Sequence, residues 1–344
     1  MNRRVAWAAL FALAAAAALA PMPSRIVERW YSRGTFPVVQ HALTSLSNLV
    51  PFALFDALWI GAAAALAVLS RRAIRAHGWR RGLLRTVFGL ARAAAVVYLL
   101  FLATWGLNYR RVPLLDKLEF EPARVTKPAN AALADWVVTE LNTDYGAAHS
   151  DVGALDSLRR GFDDTVRALN GTSIVPGRPK PTLLGWYFHT TSIAGMTDPF
   201  LLETMLAPDL LDVERPFVIA HEWAHLAGFA DESEANFVAY LTCRRGDATA
   251  RYSAALILTG YTRSPRMSAP PWAPGALALG PRIDIFAMAE RYSQGVGVLR
   301  FAAREGYDKY LKANRVERGI ESYDAVIELI LGTTIDETGY PKRR

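Results

Sequence analysis

The chain has 344 residues, of which 52% are hydrophobic, and it carries a net charge of +7 and one cysteine. A single cysteine excludes an intramolecular disulfide framework and a cysteine-based structural zinc site, and the apolar helical pattern around Cys243 predicts a buried thiol. The positive mean hydropathy of +0.12 indicates that some of the apolar residues face lipid. The arginines cluster in one short stretch instead of alternating with aromatic residues on a folded domain, which argues against nucleic-acid binding.

Three apolar segments in the first third of the chain predict transmembrane helices, at about residues 5–21, 50–69 and 87–107. Each has close to the ~20 residues that a helix needs to cross the hydrocarbon core. The first segment also resembles a signal peptide, because Arg3 and Arg4 precede it. The other two are broken only by Asp56 and Arg92. Helices of a soluble core are seldom apolar on every face over such a length, so we expect three lipid-spanning helices.

The arginines predict the orientation of these helices. Six of them lie in the loop expected at residues 70–85, namely Arg71, Arg72, Arg75, Arg80, Arg81 and Arg85. The positive-inside rule places such a loop in the cytoplasm, together with the N-terminus. The third helix then ends outside the cytoplasm, and Trp105, Tyr109, Arg110 and Arg111 are typical of that interface. We expect a multi-pass protein of the bacterial inner membrane.

The sequence changes character after residue 110, which divides it into a membrane anchor, 1–110, and an extracytoplasmic domain, 111–344. Helical periodicity is expected at 130–142 and 151–169. The β-branched and aromatic residues at 182–192 predict one or two strands, and the proline-rich segment 264–281 predicts a long loop. The predicted fold is an α-helical anchor followed by a mainly α, α+β zincin-like domain with a small edge sheet.

The segment His221-Glu222-Trp223-Ala224-His225 is a candidate zinc site. Pro216 suits the first turn of a helix and Gly228 suits its end. Histidines spaced i, i+4 project from one face of that helix and can ligate one zinc ion. Glu222 is placed to act as general base toward a zinc-activated water.

Three carboxylates after Gly228 compete for the third ligand position that catalytic zinc sites require. A second helix begins within a few residues, so its acidic first turn returns toward the histidines. Glu232 and Asn236 share one face of it, and Asn236 is placed to orient a ligand histidine. Glu234 lies about 200° around the helix from Glu232. Asp231 follows the second histidine by six residues, a spacing also used by zinc ligands. Glu232 is preferred, and Glu234 and Asp231 stay open as alternatives.

The pattern Glu232-Ser-Glu-Ala235-Asn236 resembles the Glu-x-x-Ala-(Asp/Asn) element of gluzincin metallopeptidases, and this resemblance supports Glu232. The chain is more closely similar to the bacterial membrane family called domain of unknown function 3810. The similar segments are WGLNYR at 105–110, SIAGMTDPF at 192–200, HEWAHLAGFADESEANFVAYL at 221–241 and YDKYLKAN at 307–314. The resemblance implies a zincin-like fold and a membrane anchor, and it implies no substrate.

The expected function is that of a membrane-anchored zinc metallopeptidase, with Zn2+ held by His221, His225 and Glu232 and with a peptide or protein as substrate. Two alternatives stay open: a zinc hydrolase of cell-wall or lipid substrates, and a non-catalytic scaffold with a structural or vestigial metal site. An edge strand at 182–192 would hold an extended peptide. Four further side chains cannot be ranked as oxyanion donors from the sequence: Tyr187, His189, Tyr307 and Tyr310.

Overall fold

The computed structural model describes residues 3–150, 155–316 and 325–344. The α-helices are α1 (Arg3–Leu19), α2 (Ser24–Ile26), α3 (Phe36–Asn48), α4 (Leu54–Thr104), α5 (Leu114–Lys117), α6 (Lys127–Ser150), α7 (Leu155–Asn170), α8 (Gly185–Thr191), α9 (Arg215–Leu226), α10 (Glu232–Arg244), α11 (Ala248–Leu258), α12 (Pro265–Ser268), α13 (Leu279–Ser293), α14 (Gly297–Ala313) and α15 (Val326–Gly332). A π-helix, Val27–Thr35, joins α2 to α3, and 3-10 helices lie at Gly106–Arg110 and Pro122–Arg124.

Three short strands form one sheet in the order β1-β3-β2. They are β1 (Pro179–Lys180), β2 (Gly195–Thr197) and β3 (Thr204–Leu206). β1 runs parallel to β3, and β2 runs antiparallel to it with Met196 opposite Met205. β2 is therefore an edge strand. The expectation of a mainly helical fold with a small sheet is confirmed.

The prediction of three transmembrane helices is wrong. By length and composition, the described residues contain one helix able to cross a membrane, α4, or two if Arg4–Leu19 and Ser24–Asn48 count as one bent span. α1 has 17 residues, and the chain bends by 106° after it, where Pro21 and Pro23 cannot continue a helix. α4 carries many exposed apolar side chains, such as Trp59 and Phe88. It is a candidate membrane anchor.

The predicted second and third transmembrane helices belong to one helical element, α4, and the loop expected at residues 70–85 is helical except at Gly78. Arginine, alanine and leucine are good helix formers, so this stretch does not favour a loop. Gly78 has φ +74°, a conformation that glycine adopts without strain. A Cβ on Gly82 would stand 2.5 Å from the Cα of Ile74, so α4 folds back on itself at Gly78.

The prediction that Trp105 and Arg111 lie at a lipid interface is wrong, because both side chains are buried at 6% exposure. Trp105 ends α4 and packs in the main core. The Arg111 guanidinium forms an ion pair with Glu28 at 3.0 Å and donates to the carbonyl of Gly228 at 2.9 Å. A buried guanidinium needs such partners. These residues therefore hold the end of α4 to the rest of the protein.

The helices expected at 130–142 and 151–169 are confirmed as α6 and α7, although residues 151–154 lie outside the described part of the chain. The strands expected at 182–192 are wrong, because this segment forms α8. Its carbonyls bond the hydroxyls of Thr190 and Thr191 within the helix, which offsets their β propensity. The segment 264–281 is a loop apart from α12 and the start of α13.

The main hydrophobic core joins residues on both sides of position 110. Phe36 and Phe101 belong to the same cluster as Phe162 and Trp223, and the rings of Phe162 and Trp223 lie 5.3 Å apart. Cys243 is also in this core and fully buried, as predicted. The cluster fixes α9 against α7 and α10. The division of the chain into domains at residue 110 stays a prediction.

Candidate metal centre

α9 carries both histidines of the predicted site. Pro216 lies in its first turn, as expected. Glu214 directly precedes the helix, and its side chain forms a buried ion pair with Arg291 at 2.6 Å. This pair ties the beginning of α9 to α13, and the apolar side of α9, with the fully buried Trp223, is held in the core. The helix is therefore a rigid base for His221 and His225.

A tight turn brings the next helix back to the histidines. Gly228 has φ +81°, and a Cβ there would lie 2.9 Å from Oδ1 of Asn108, so only glycine fits without strain. Asp231 then caps α10 by accepting from the backbone N–H of Ser233 at 2.9 Å. Glu232 is thereby placed in the first turn of α10, and the carboxylate of Glu232 faces the two histidines.

Three side chains converge at this point: His221, His225 and Glu232. The Nε2 atoms of the two histidines are 3.1 Å apart. Oε2 of Glu232 lies 3.2 Å from Nε2 of His221 and 3.5 Å from Nε2 of His225. Tetrahedral zinc with bonds of 2.0–2.1 Å separates its ligand atoms by about 3.3 Å. The spacing of the three atoms therefore fits a zinc ion.

The hydrogen bonds of the other ring nitrogens orient both histidines. Nδ1 of His225 donates to the carbonyl of Phe229 at 2.8 Å. Nδ1 of His221 lies 2.8 Å from Oδ1 of Asn236, the partner that the sequence suggests. With both Nδ1 atoms donating, both Nε2 atoms direct lone pairs toward Glu232. Three acceptors that face one another could hold a cation between them.

The charge of the centre follows from the same contacts. Burial lowers the pKa of His225, but the carboxylate of Glu232 outweighs burial and raises this pKa to about 9. Burial raises the pKa of Glu232, but His225 and His221 outweigh it and hold the pKa well below the usual range. The two histidines thus keep the carboxylate of Glu232 ionised.

The two competing carboxylates point elsewhere. Asp231 is the cap of α10. Glu234 accepts a hydrogen bond from the backbone N–H of Leu114, and the charge of Lys117 acts on its carboxylate. Burial raises the pKa of Glu234 to about 7. Neither joins the group of three side chains that face one another.

Tyr307 of α14 contacts the centre directly. Its hydroxyl donates a hydrogen bond to Oε1 of Glu232. The other oxygen, Oε2, is buried and accepts no hydrogen bond from a described residue. Tyr307 therefore fixes the carboxylate so that Oε2 faces the histidines. The sequence could not rank Tyr307 above Tyr310, whose ring lies 6.0 Å from that of Tyr109.

Glu222 lies beside the centre and is 4% exposed. Thr197 of β2 donates to Oε2 of Glu222 at 2.9 Å. Gly195 lies against the same side chain, because a Cβ there would stand 2.7 Å from Oε1. Burial raises the pKa of Glu222, and the nearby histidines only partly oppose this. A raised pKa suits a carboxylate that must accept a proton near neutral pH.

Sequence reasoning missed the contribution of β2. Its residues lie within the segment 192–200, which was identified only by family resemblance. In place of the expected strand at 182–192, α8 presents His189, which pairs with Asp209 at 2.7 Å, and Tyr187, which is partly exposed. The strand beside Glu222 begins three residues after that segment ends. A short strand with one glycine has no alternation strong enough to predict.

The fold and the site define a mainly α-helical protein with a candidate membrane anchor and a His-His-Glu group that could hold a metal ion. A model of the protein family of unknown function DUF3810 matches residues 31–331. The chain belongs to this family. No curated protein and no solved structure gives a significant match to the chain.

Proposed function

We propose that this protein is a membrane-anchored, zinc-dependent hydrolase that acts on peptide bonds. One observation carries the proposal: two lone-pair nitrogens and one carboxylate oxygen lie 3.1–3.5 Å apart beside a buried glutamate. Three protein ligands are typical of catalytic zinc sites, whereas structural sites use four. In the described part of the chain the group has three members.

The side chains around the centre suit hydrolysis. A bound zinc ion would supply Lewis acidity and lower the pKa of water toward neutrality. Glu222 would accept the proton of the attacking water and deliver it to the leaving nitrogen. Thr197 holds the carboxylate in place for this transfer. Tyr307 and Asn236 fix the ligands, which limits the reorganisation that the reaction requires.

The edge strand β2 supports a peptide as substrate. β3 pairs with only one side of it, and its residues Gly195 and Thr197 contact Glu222. An extended peptide can add to a free strand edge through main-chain hydrogen bonds. A peptide bound there would run past the proposed base.

Metal analysis of the purified protein tests the zinc site. We expect one zinc per chain, and we expect His221→Ala, His225→Ala and Glu232→Ala to lose most of it. Glu234→Gln is the matched control, because this buried carboxylate is two residues from Glu232 but bonds Leu114. A wild-type protein that binds no zinc when zinc is supplied would refute the site.

Glu222→Gln separates an enzyme from a scaffold. We expect this variant to keep its zinc and to lose hydrolysis by several orders of magnitude. Hydrolysis is measured on a peptide pool by the appearance of new N-termini. If the wild type binds zinc but releases no peptide, and cells with Glu222→Gln are unaffected, a structural metal site is the better account. If the wild type instead hydrolyses lipid or cell-wall substrates, the substrate is of that class and not a peptide.

We also propose that the bend of α4 lies on the cytoplasmic face and the metal centre on the opposite face. The six arginines near Gly78 support this orientation by the positive-inside rule. Cys243 is buried, so a cysteine placed at exposed Trp79 in a Cys243→Ser background can be labelled selectively. Labelling of intact cells by an impermeant thiol reagent at this position would contradict the orientation.

A further inference from the structure

Exposed apolar side chains lie just before α8, on α8, and on the neighbouring helix α14. Leu183 and Trp186 are 75% and 71% exposed, and Val298 and Phe301 are 79% and 67% exposed. Single exposed apolar residues are common on proteins, whereas a joined set of large ones marks an interaction surface. We call these four residues the apolar rim.

The two helices that carry the rim form one unit. The backbone N–H of Val296, which precedes α14, donates to the carbonyl of Thr190 at 2.9 Å. The hydroxyl of Ser192 donates to the carbonyl of Tyr292 at 3.0 Å. A Cβ on Gly295 would stand 2.5 Å from Oγ of Ser192, so glycine permits this close approach. The end of α8 is thereby joined to the start of α14.

The rim is continuous with the beginning of α4. The carboxylate of Asp56 accepts from the hydroxyl of Thr182 and from the backbone N–H of Leu183, both at 2.8 Å. Leu58 and Trp59, on the next turn of α4, are 46% and 58% exposed. The apolar surface of the candidate anchor therefore continues directly into the rim.

The far end of α14 lies against the other end of α4. The ring of Tyr310 lies 6.3 Å from that of Phe101 and 6.0 Å from that of Tyr109. α8 and α14 together thus connect the first turn of α4 to its last. Its inner face carries Tyr307, which bonds Glu232.

We propose that the apolar rim contacts the lipid bilayer and holds the metal centre at the membrane surface. Because α8 and α14 together connect the two ends of α4, which folds back on itself at Gly78, these two helices would lie along the boundary between lipid and water. The exposed apolar side chains suit the lipid, and indole rings such as those of Trp59 and Trp186 favour this boundary. Lipid is favoured over a protein partner because the surface continues into the candidate anchor.

Spin labels at single cysteines test this contact. In a Cys243→Ser background, Val298→Cys and Phe301→Cys are labelled in vesicles of neutral and anionic phospholipid. We expect collisions with oxygen to exceed those with a water-soluble nickel complex at both positions. Asp156→Cys is the control, because this exposed residue lies near the start of α7, whose last residue, Asn170, bonds Arg111. About 20 Å of helix separates Asp156 from the contact between Asn170 and Arg111.

Each outcome decides the proposal. Nickel collisions at Val298 and Phe301 as frequent as at Asp156 would overturn it. Spin–spin broadening that vanishes when labelled protein is diluted with unlabelled protein would replace lipid by a second copy of the chain. Tryptophan quenching by brominated lipids checks the result without a label. Trp186→Phe should lower the quenched fraction, and an unchanged fraction would contradict the contact.

Discussion

The hydroxyl of Thr197 lies 2.9 Å from Oε2 of Glu222, so the edge strand holds the proposed base. This hydrogen bond lowers the pKa of Glu222, against the effect of burial, which raises it. Two helices supply the proposed ligands, and the sheet positions the carboxylate that would work beside them. The sheet therefore forms part of the candidate site.

Thr197→Val should move the pH dependence of hydrolysis. Valine keeps the shape of threonine and removes the donor, so the pKa of Glu222 rises further. Glu222 must be ionised to accept a proton, and the acidic limb of the pH profile of kcat/KM should move to higher pH. The zinc content should not change. An acidic limb at the wild-type pH would show that this bond does not tune the base.

Gly195→Ala should lower kcat without removing the metal. The new Cβ would lie 2.7 Å from Oε1 and 3.0 Å from Cγ of Glu222, which displaces the carboxylate. A displacement of about 1 Å can cost up to ~100-fold in rate. Gly146→Ala, on α6, is the control, because its Cβ would meet nothing within 4 Å. Equal rates for both variants and the wild type would contradict the prediction.

Tyr307→Phe should weaken metal binding. The variant loses the hydrogen bond to Oε1 of Glu232, and the carboxylate is then free to turn. Loss of a group that orients a ligand commonly costs about 10–100-fold in affinity. The affinity is measured by competition with a zinc chelator. Tyr310→Phe is the control, since its ring stacks on that of Tyr307 and its side chain bonds Tyr109.

Asp198 should make the protein less stable as the pH rises from about 4 to about 6. Burial raises the pKa of this carboxyl from 3.8 to about 6, although it accepts from the backbone N–H groups of Phe200 and Leu201. In that window the unfolded chain has released a proton that the folded protein keeps, so the free energy of unfolding falls with rising pH. The pKa difference corresponds to at most about 3 kcal/mol.

Urea unfolding at pH 4 to 7 measures this effect as the difference between the wild type and Asp198→Asn. The asparagine variant cannot titrate, so its curve should lack the decline that Asp198 causes. Its stability can be lower at every pH, because the amide replaces one acceptor. Parallel pH dependences of the two proteins would refute the shifted pKa.

The sequence predicts the local parts of the candidate site well and their surroundings poorly. The spacing of His221 and His225, the turn at Gly228 and the helix that follows are short-range features with clear signals. Tyr307 is 75 residues from Glu232, and no local pattern connects them. Trp105 donates to the carbonyl of His225 at 2.8 Å. No local pattern predicts this distant contact either, so the sequence around Trp105 is typical of a residue at a lipid interface.

The membrane segments show the limit most clearly. Hydropathy finds the apolar runs, but not that two of them are one helical element folded at Gly78, because a glycine among arginines is equally consistent with a loop.

The sequence by itself determined the two histidines, their spacing and a following helix with three candidate carboxylates, since i, i+4 periodicity and a glycine stop are properties of the local backbone. Only the tertiary structure decided which carboxylate faces the histidines. Asp231 caps α10 and Glu234 bonds Leu114, which leaves Glu232 for the centre. That choice depends on burial and on partners distant in the chain, and a carboxylate carries no record of them in its own sequence neighbourhood.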